Sequence, residues 1–214
     1  MKHEEIKNQE NLENANKSFF NTWAPLYDYT PIKPWLFYIQ KRIINNLKLK
    51  EDQKILDIGC GTGDALLYLS KLLNKGKIKK VKLYGIDISI NMINIAGRKL
   101  KGKAVLLPIS IENTDFKGNT FDCIICTEAF HHFTNPEKAL KEICRILKRK
   151  GILVIADISI YSGFIHKLFK ILEPGHIKLY TKEEFKELFM KNNLHVLNQE
   201  RIGLFAVATT AMKL

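Results

Sequence analysis

The chain has 214 residues, of which 46% are hydrophobic and 26% charged, and it carries a formal net charge of +12. These values exclude a globally disordered chain and suit one domain with a sizeable core. The basic balance is compatible with nucleic acid, anionic lipid or an acidic substrate, but lysine spread over solvated faces explains it more simply.

Residues 1–17, MKHEEIKNQENLENANK, form a polar N-terminal arm, either frayed or helical. The arm lacks the apolar core of a secretory signal. No run elsewhere approaches the roughly 20 apolar residues of a membrane span. A cytoplasmic setting is expected. Residues 18–214 then form a single domain. Its first stretch, SFFNTWAPLYDYTPIKPWLFY, holds Phe19, Phe20, Trp23, Tyr27, Tyr29, Trp35, Phe37 and Tyr38. Eight aromatics is a large share of the 12 Phe, 7 Tyr and 2 Trp in the whole chain. Pro25, Pro31 and Pro34 break the stretch into short pieces. Residues 18–50 are therefore expected to form an aromatic cap that packs over the core, lines a substrate pocket, or does both.

From Trp35 to Leu47 the apolar spacing predicts an amphipathic helix. Strands and helices then alternate. Lys54 to Ile58 is a strand and Gly63 to Leu73 a helix with a broad leucine face. Val81 to Ile86 is a strand, and Ser89 caps a helix to about residue 98. Ala104 to Leu107 and Phe121 to Cys126 are strands. Asn135 caps a helix with Pro136 in its first turn, running to about residue 147. Ile152 to Ile158 is a strand. Thr181 starts a helix to about residue 191, with Glu184 completing a capping-box pattern. The runs 194–200 and 203–211 pair as an antiparallel hairpin through Arg201 and Ile202. This succession predicts an α/β fold: Rossmann-like and doubly wound, with a mostly parallel seven-stranded sheet, helices on both faces and an antiparallel last strand.

The four cysteines are Cys60, Cys123, Cys126 and Cys144. Three lie in or beside strongly apolar segments, which suits reduced thiols better than a disulfide framework. Cys123 and Cys126 have CxxC spacing, but they fall in a strand. Residues three apart in a strand point to opposite faces, so no metal site is expected there.

The most informative stretch is ILDIGCGTGD, residues 55–64. It leaves the first core strand and enters a helix. Gly59 and Gly61 let the backbone approach a ligand, and Gly63 allows a tight entry to the helix. A dinucleotide fingerprint is GxGxxG. Here the third glycine comes one residue early, and Asp64 stands where the last would be. Asp57 before the loop would repel a pyrophosphate and suits an ammonium or sulfonium. No GK[ST] follows, which excludes a P-loop. Asp87 ends the second strand, 28 residues after Gly59, where an acid can accept both hydroxyls of a ribose. The site asks for a ribonucleoside with a cationic, amino-acid-like part.

ILDIGCGTGD, YGIDIS, NTFDCIICTEAFHHF and LKRKGILVIADIS together resemble the class I S-adenosylmethionine-dependent methyltransferases. The chain is most similar to the group that includes ubiquinone and menaquinone biosynthesis enzymes and their small-molecule relatives. The resemblance covers roughly residues 18–212 and implies S-adenosylmethionine as cofactor. It implies that Asp57, Gly59, Cys60, Gly61 and Thr62 hold the methionine part. Asp87 takes the ribose, and Ile88 and Met92 pack on the adenine. Ser110 and Ile111 fall where the family often has an acid and a small residue at the adenine edge; serine keeps a hydrogen bond and loses the charge. Thr127 contacts the methionine part or lines the methyl-transfer mouth. Tyr27, in WAPLYD, matches a tyrosine that reaches over the cofactor. LKRKG replaces the usual LKPGG, a change confined to a turn.

The resemblance further implies methyl transfer by in-line displacement to a small, apolar or aromatic acceptor. A general base is sought beyond the fourth strand, where Glu128 and His131 are the candidates. Neighbouring His132, and Asp157, Tyr161 and His166 after the fifth strand, can also reach the mouth. No metal is expected. Two alternatives stay open: a methyltransferase acting on RNA or protein, and a protein that binds S-adenosylmethionine without turnover. No [DNS]PP[YFW] stretch and no Pro-Cys pair exist for base methylation, and the basic run KGKIKKVK sits before the second strand, away from the glycine loop.

Overall fold

The structure, a computed structural model, describes residues 2–76, 78, 80–159 and 178–214. Helix α1 (Lys2–Tyr27) and α2 (Lys33–Asn46) precede the first strand. There follow β1 (Lys54–Ile58), α3 (Asp64–Lys75), β2 (Lys82–Ile86), α4 (Ile90–Leu100), β3 (Val105–Leu107) and β4 (Phe121–Thr127). A 3-10 turn (Phe130–His132), α5 (Pro136–Ile146), β5 (Leu147–Ile158), α6 (Lys182–Lys191), β6 (Leu194–Ile202) and β7 (Ala206–Lys213) complete the order.

Seven strands make one sheet in the order β3-β2-β1-β4-β5-β7-β6. All run parallel except β7, which pairs antiparallel with β5 and β6. This is the expected fold class. β1 and β4 are buried almost throughout because both faces of the sheet are covered. Ile39, Ile43, Leu66, Leu69 and Ala96 of α2, α3 and α4 pack on one face with Ile55 and Ile125. Leu140, Ile143, Phe185 and Phe189 of α5 and α6 pack on the other with Leu56 and Ile124. Cys123 belongs to the first cluster and Cys126 to the second, so the two thiols lie on opposite faces. The chain leaves β1 for β2 on one side and returns to β4 on the other. Such a reversal opens a crevice beyond the strand ends.

Several boundaries differ from expectation. α1 continues without a break from the polar arm through Tyr27; Pro25 has no N–H for the Asn21 carbonyl, which accepts instead from Asn91 Nδ2 at 2.9 Å. α2 begins at Lys33, two residues early, with Pro34 in its first turn. β5 begins at Leu147, taking in the LKRKG turn as an irregularity opposite Asp122. The pairing shifts there from Phe121 with Leu147 to Cys123 with Ile152, and Lys150 takes φ +60°. Arg201 and Ile202 lie within β6, and the turn falls at 203–205, where Gly203 has φ +61°. Among the described residues no helix is long and apolar enough to cross a membrane.

The cap of α6 is complete. The Glu184 amide donates to Thr181 Oγ1 at 3.1 Å, and the Thr181 amide donates to Glu184 Oε2 at 2.8 Å. α6 buries Phe185 and Phe189. Thr181→Ala should therefore lower stability by about 1 kcal/mol. The measurement is the urea midpoint at unchanged m value; an unshifted midpoint contradicts the cap's contribution.

Candidate active site

The glycine loop is built by backbone conformation. Gly59, Gly61 and Gly63 have φ of +67°, +50° and +83°. A Cβ on Gly59 would lie 2.4 Å from Ala129 Cβ, so the loop after β4 presses directly on it. A Cβ on Gly63 would lie 2.9 Å from Ala96 Cβ, where α3 meets α4. The Cys60 amide donates to the Ile86 carbonyl at 3.0 Å and ties the loop to the end of β2.

Asp87, just past β2, accepts from the Gly61 and Ser89 amides, both at 2.9 Å. One carboxylate thus joins the glycine loop to the start of α4. Burial raises its pKa from the ordinary 3.8 to about 6, and the two amides only limit that rise. Asp57 on β1 is buried, and neither of its oxygens has a hydrogen-bond partner among the described residues. Burial holds its carboxyl well above the usual range, and the neighbouring Asp87 adds to the rise.

Above these acids lies a cleft that is open to solvent. Its wall includes Tyr27, Gly59, Cys60, Gly61, Thr62, Asp87, Ile88, Met92, Ser110, Ile111, Thr127 and Glu128. The fold therefore gathers these residues from α1, from α4 and from the ends of β1, β2, β3 and β4 with the loops that follow them. Asp57 lies beneath the loop and off the wall.

The two histidines differ from expectation. His132 is on the wall, whereas His131 is 3% exposed and turned inward. His131 Nδ1 meets Asp157 Oδ1 at 2.5 Å, and its amide donates to Asp157 Oδ2 at 2.9 Å. The Ile158 amide donates to Asp157 Oδ1 at 2.8 Å, which fixes the carboxylate. Glu128 holds φ +52°, a costly conformation for a residue with a Cβ, while its amide donates to the Ala156 carbonyl at 2.8 Å. One ligand-type atom each from Glu128, His131 and Asp157 lies within 4.8 Å of the others. Tyr161 and His166 lie outside the described residues.

The wall also carries Glu13, Asn16, Phe20, Lys33, Glu112 and Phe133. Glu112 accepts from Thr134 Oγ1 and the Asn135 amide, both at 2.9 Å. It stands two residues past Ser110, so an acid is present near the expected edge in a shifted position. α1 is pinned across the cleft. Asn16 Nδ2 donates to the His132 carbonyl at 3.1 Å, and Ser89 Oγ donates to Asn21 Oδ1 at 2.7 Å.

The donor set suits S-adenosylmethionine. A buried, partnerless carboxylate at the base of the loop calls for a cation. Asp87 keeps lone pairs for hydroxyls, and Ile88, Met92 and Ile111 offer an apolar slot to a flat heterocycle.

Residues 56–155 match the family model described as a methyltransferase domain. The chain is 37% identical over 126 residues to the ubiquinone/menaquinone biosynthesis C-methyltransferase of Wigglesworthia glossinidia brevipalpis, covering 56% of this chain and 49% of that protein. It thus spans about half the length of that relative. An uncharacterised protein of Methanocaldococcus jannaschii is 32% identical over 192 residues, covering 85% of this chain and 79% of its own. The crystal structure of a SAM-dependent methyltransferase from Aquifex aeolicus has the same fold, with a TM-score of 0.71 and 23% identity over 91% of this chain and 98% of that one. Family match and fold agree, and the chain belongs to the class I S-adenosylmethionine-dependent methyltransferases.

Proposed function

We propose that this protein moves a methyl group from S-adenosylmethionine to a small, apolar or aromatic acceptor entering under the N-terminal segment. The observation that carries this reading is the composition of the cleft wall. Phe20 and Tyr27 of α1 and Phe133 after β4 face the same space as the glycine loop. Residues 18–50 then act as the cap of one methyltransferase domain, 18–214. A relative named for C-methylation in ubiquinone and menaquinone biosynthesis favours a small-molecule acceptor over RNA or protein.

When bound, S-adenosylmethionine supplies an activated methyl on a sulfonium. The chain's own residues then have three tasks. Asp57 balances the positive charge of the methionine part, Asp87 holds the ribose, and Ile88, Met92 and Ile111 enclose the adenine. Glu128, at the end of β4 and on the wall, is placed to accept a proton from the acceptor. His131 stands behind it, oriented by Asp157. Positioning the acceptor in line with the methyl contributes most of the rate, since the leaving group is already good.

The test is transfer of tritiated methyl from S-adenosylmethionine into a cell extract separated into small molecules, RNA and protein. Label is expected in the organic-soluble small-molecule fraction. Label confined to RNA or protein would replace this reading. Binding of the cofactor with no transfer to any fraction would make the protein a non-catalytic binder.

A further inference from the structure

The methionine part of S-adenosylmethionine carries an ammonium, a sulfonium and a carboxylate. On the reading above, acids meet its cations and its ribose, but nothing assigned so far meets the carboxylate. The wall of the cleft is rich in acids: Glu13, Asp64, Asp87, Glu112 and Glu128. Among the described residues it includes one lysine or arginine, Lys33.

Lys33 stands in a closed ring of charges. Its Nζ lies 3.0 Å from Asp28 Oδ1, 2.7 Å from Asp64 Oδ2 and 3.1 Å from Thr62 Oγ1. It also sits 4.2 Å from the centre of the Tyr27 ring. Lys99 Nζ closes the ring, 2.6 Å from Asp28 Oδ2, 2.8 Å from Asp64 Oδ1 and 3.0 Å from Thr62 Oγ1. The Thr62 hydroxyl donates to Asp28 Oδ1 at 2.7 Å. Burial works to raise the Asp28 carboxyl, but hydrogen bonds from Lys99, Thr62 and Lys33 prevail and bring it down to about 2. The ring joins the turn between α1 and α2 to the glycine loop and to α4.

We propose that Lys33 is the cation that receives the carboxylate of the cofactor's methionine part, exchanging one of its aspartate contacts for it. An ammonium has three donors, and the ring engages all three of Lys33. A fourth acceptor can enter only by displacing one. Both aspartates also touch Lys99, so whichever Lys33 releases keeps a cation. The exchange therefore leaves no carboxylate uncompensated, and that removes the main cost of breaking a partly buried ion pair. Thr62, one residue from Gly61, places the ammonium beside the loop that holds the methionine part.

This inference rests on the S-adenosylmethionine reading, and one set of titrations separates the two. Calorimetry on the intact protein uses S-adenosylmethionine and its decarboxylated form, which keeps the ammonium and sulfonium. The wild type should prefer S-adenosylmethionine by about 10-fold or more, the range of a charge-assisted hydrogen bond. Lys33→Met should bind S-adenosylmethionine about 10-fold more weakly while its affinity for the decarboxylated form holds, so the preference disappears. Lys33→Arg should restore it. A Lys33→Met protein that keeps the full preference, or that loses both ligands equally, overturns the assignment. If that variant does not fold, Lys33→Gln is read in the same way. Wild-type protein that binds neither ligand overturns the cofactor reading itself.

Discussion

Asp87→Ala is expected to weaken S-adenosylhomocysteine binding by about 100-fold at pH 8, because two hydrogen bonds to an ionised carboxylate are lost together. The measurement is calorimetric, alongside a thermal melt to show that the chain still folds. The effect on stability should be smaller than the effect on binding. The Gly61 and Ser89 amides lose their acceptor, but a buried carboxylate that resists ionisation is removed at the same time. Binding that falls by less than about 3-fold would remove Asp87 from the ribose role.

The pH dependence provides a second, independent readout of the same residue. Between its ordinary 3.8 and its folded value of about 6, the folded chain keeps a proton that the unfolded chain has lost. The stability carried by that proton is complete below pH 3.8 and is lost as the pH rises through about 6. Affinity runs the other way, since ribose hydroxyls donate best to the ionised form. S-adenosylhomocysteine should bind about 10-fold more weakly at pH 5 than at pH 7, with the step near pH 6 absent in Asp87→Asn. A wild-type affinity that is flat over this range contradicts the assignment.

Much of this site could be read from the chain because its signals are local. Three glycines at alternate positions need a loop at a strand end, and the acids Asp57 and Asp87 fall where β1 and β2 end beside it. The alternation of apolar strands with capped helices likewise defines the sheet and its switch point. Other features depend on contacts across long sequence separations. Lys33 resembles any lysine in a basic chain until α2 brings it to Thr62 and Asp64. His131 and His132 are equivalent in TEAFHHF; the partner that meets the inward-turned His131, Asp157, lies 26 residues away. The polar arm shows little apolar periodicity of its own, and α1 is held by Asn16 and Asn21, whose partners lie far along the chain.

Gly59→Ala should be the most damaging small substitution in the loop, with stability reduced by about 3 kcal/mol and cofactor binding lost. Two separate costs combine. Alanine at φ +67° pays the left-handed penalty of about 1–2 kcal/mol. Its methyl would also lie 2.4 Å from Ala129 Cβ, an atom fixed to the backbone that cannot swing aside, and overpacking of this kind costs about 1–3 kcal/mol. Alanine's stiffer unfolded chain returns only about 0.4–1 kcal/mol. The second cost can be isolated. Ala129→Gly alone should be mildly destabilising, by up to about 1 kcal/mol. Combined with Gly59→Ala it removes the opposing methyl, and the double variant should recover at least about 1 kcal/mol over the sum of the single losses. The left-handed penalty remains, so recovery stays partial. Chemical denaturation of the four chains measures this coupling, and strict additivity would show that the loop moves aside freely. A loop that moved so easily could not hold Gly61 against Asp87, and the cofactor seat would then owe its shape to the ligand.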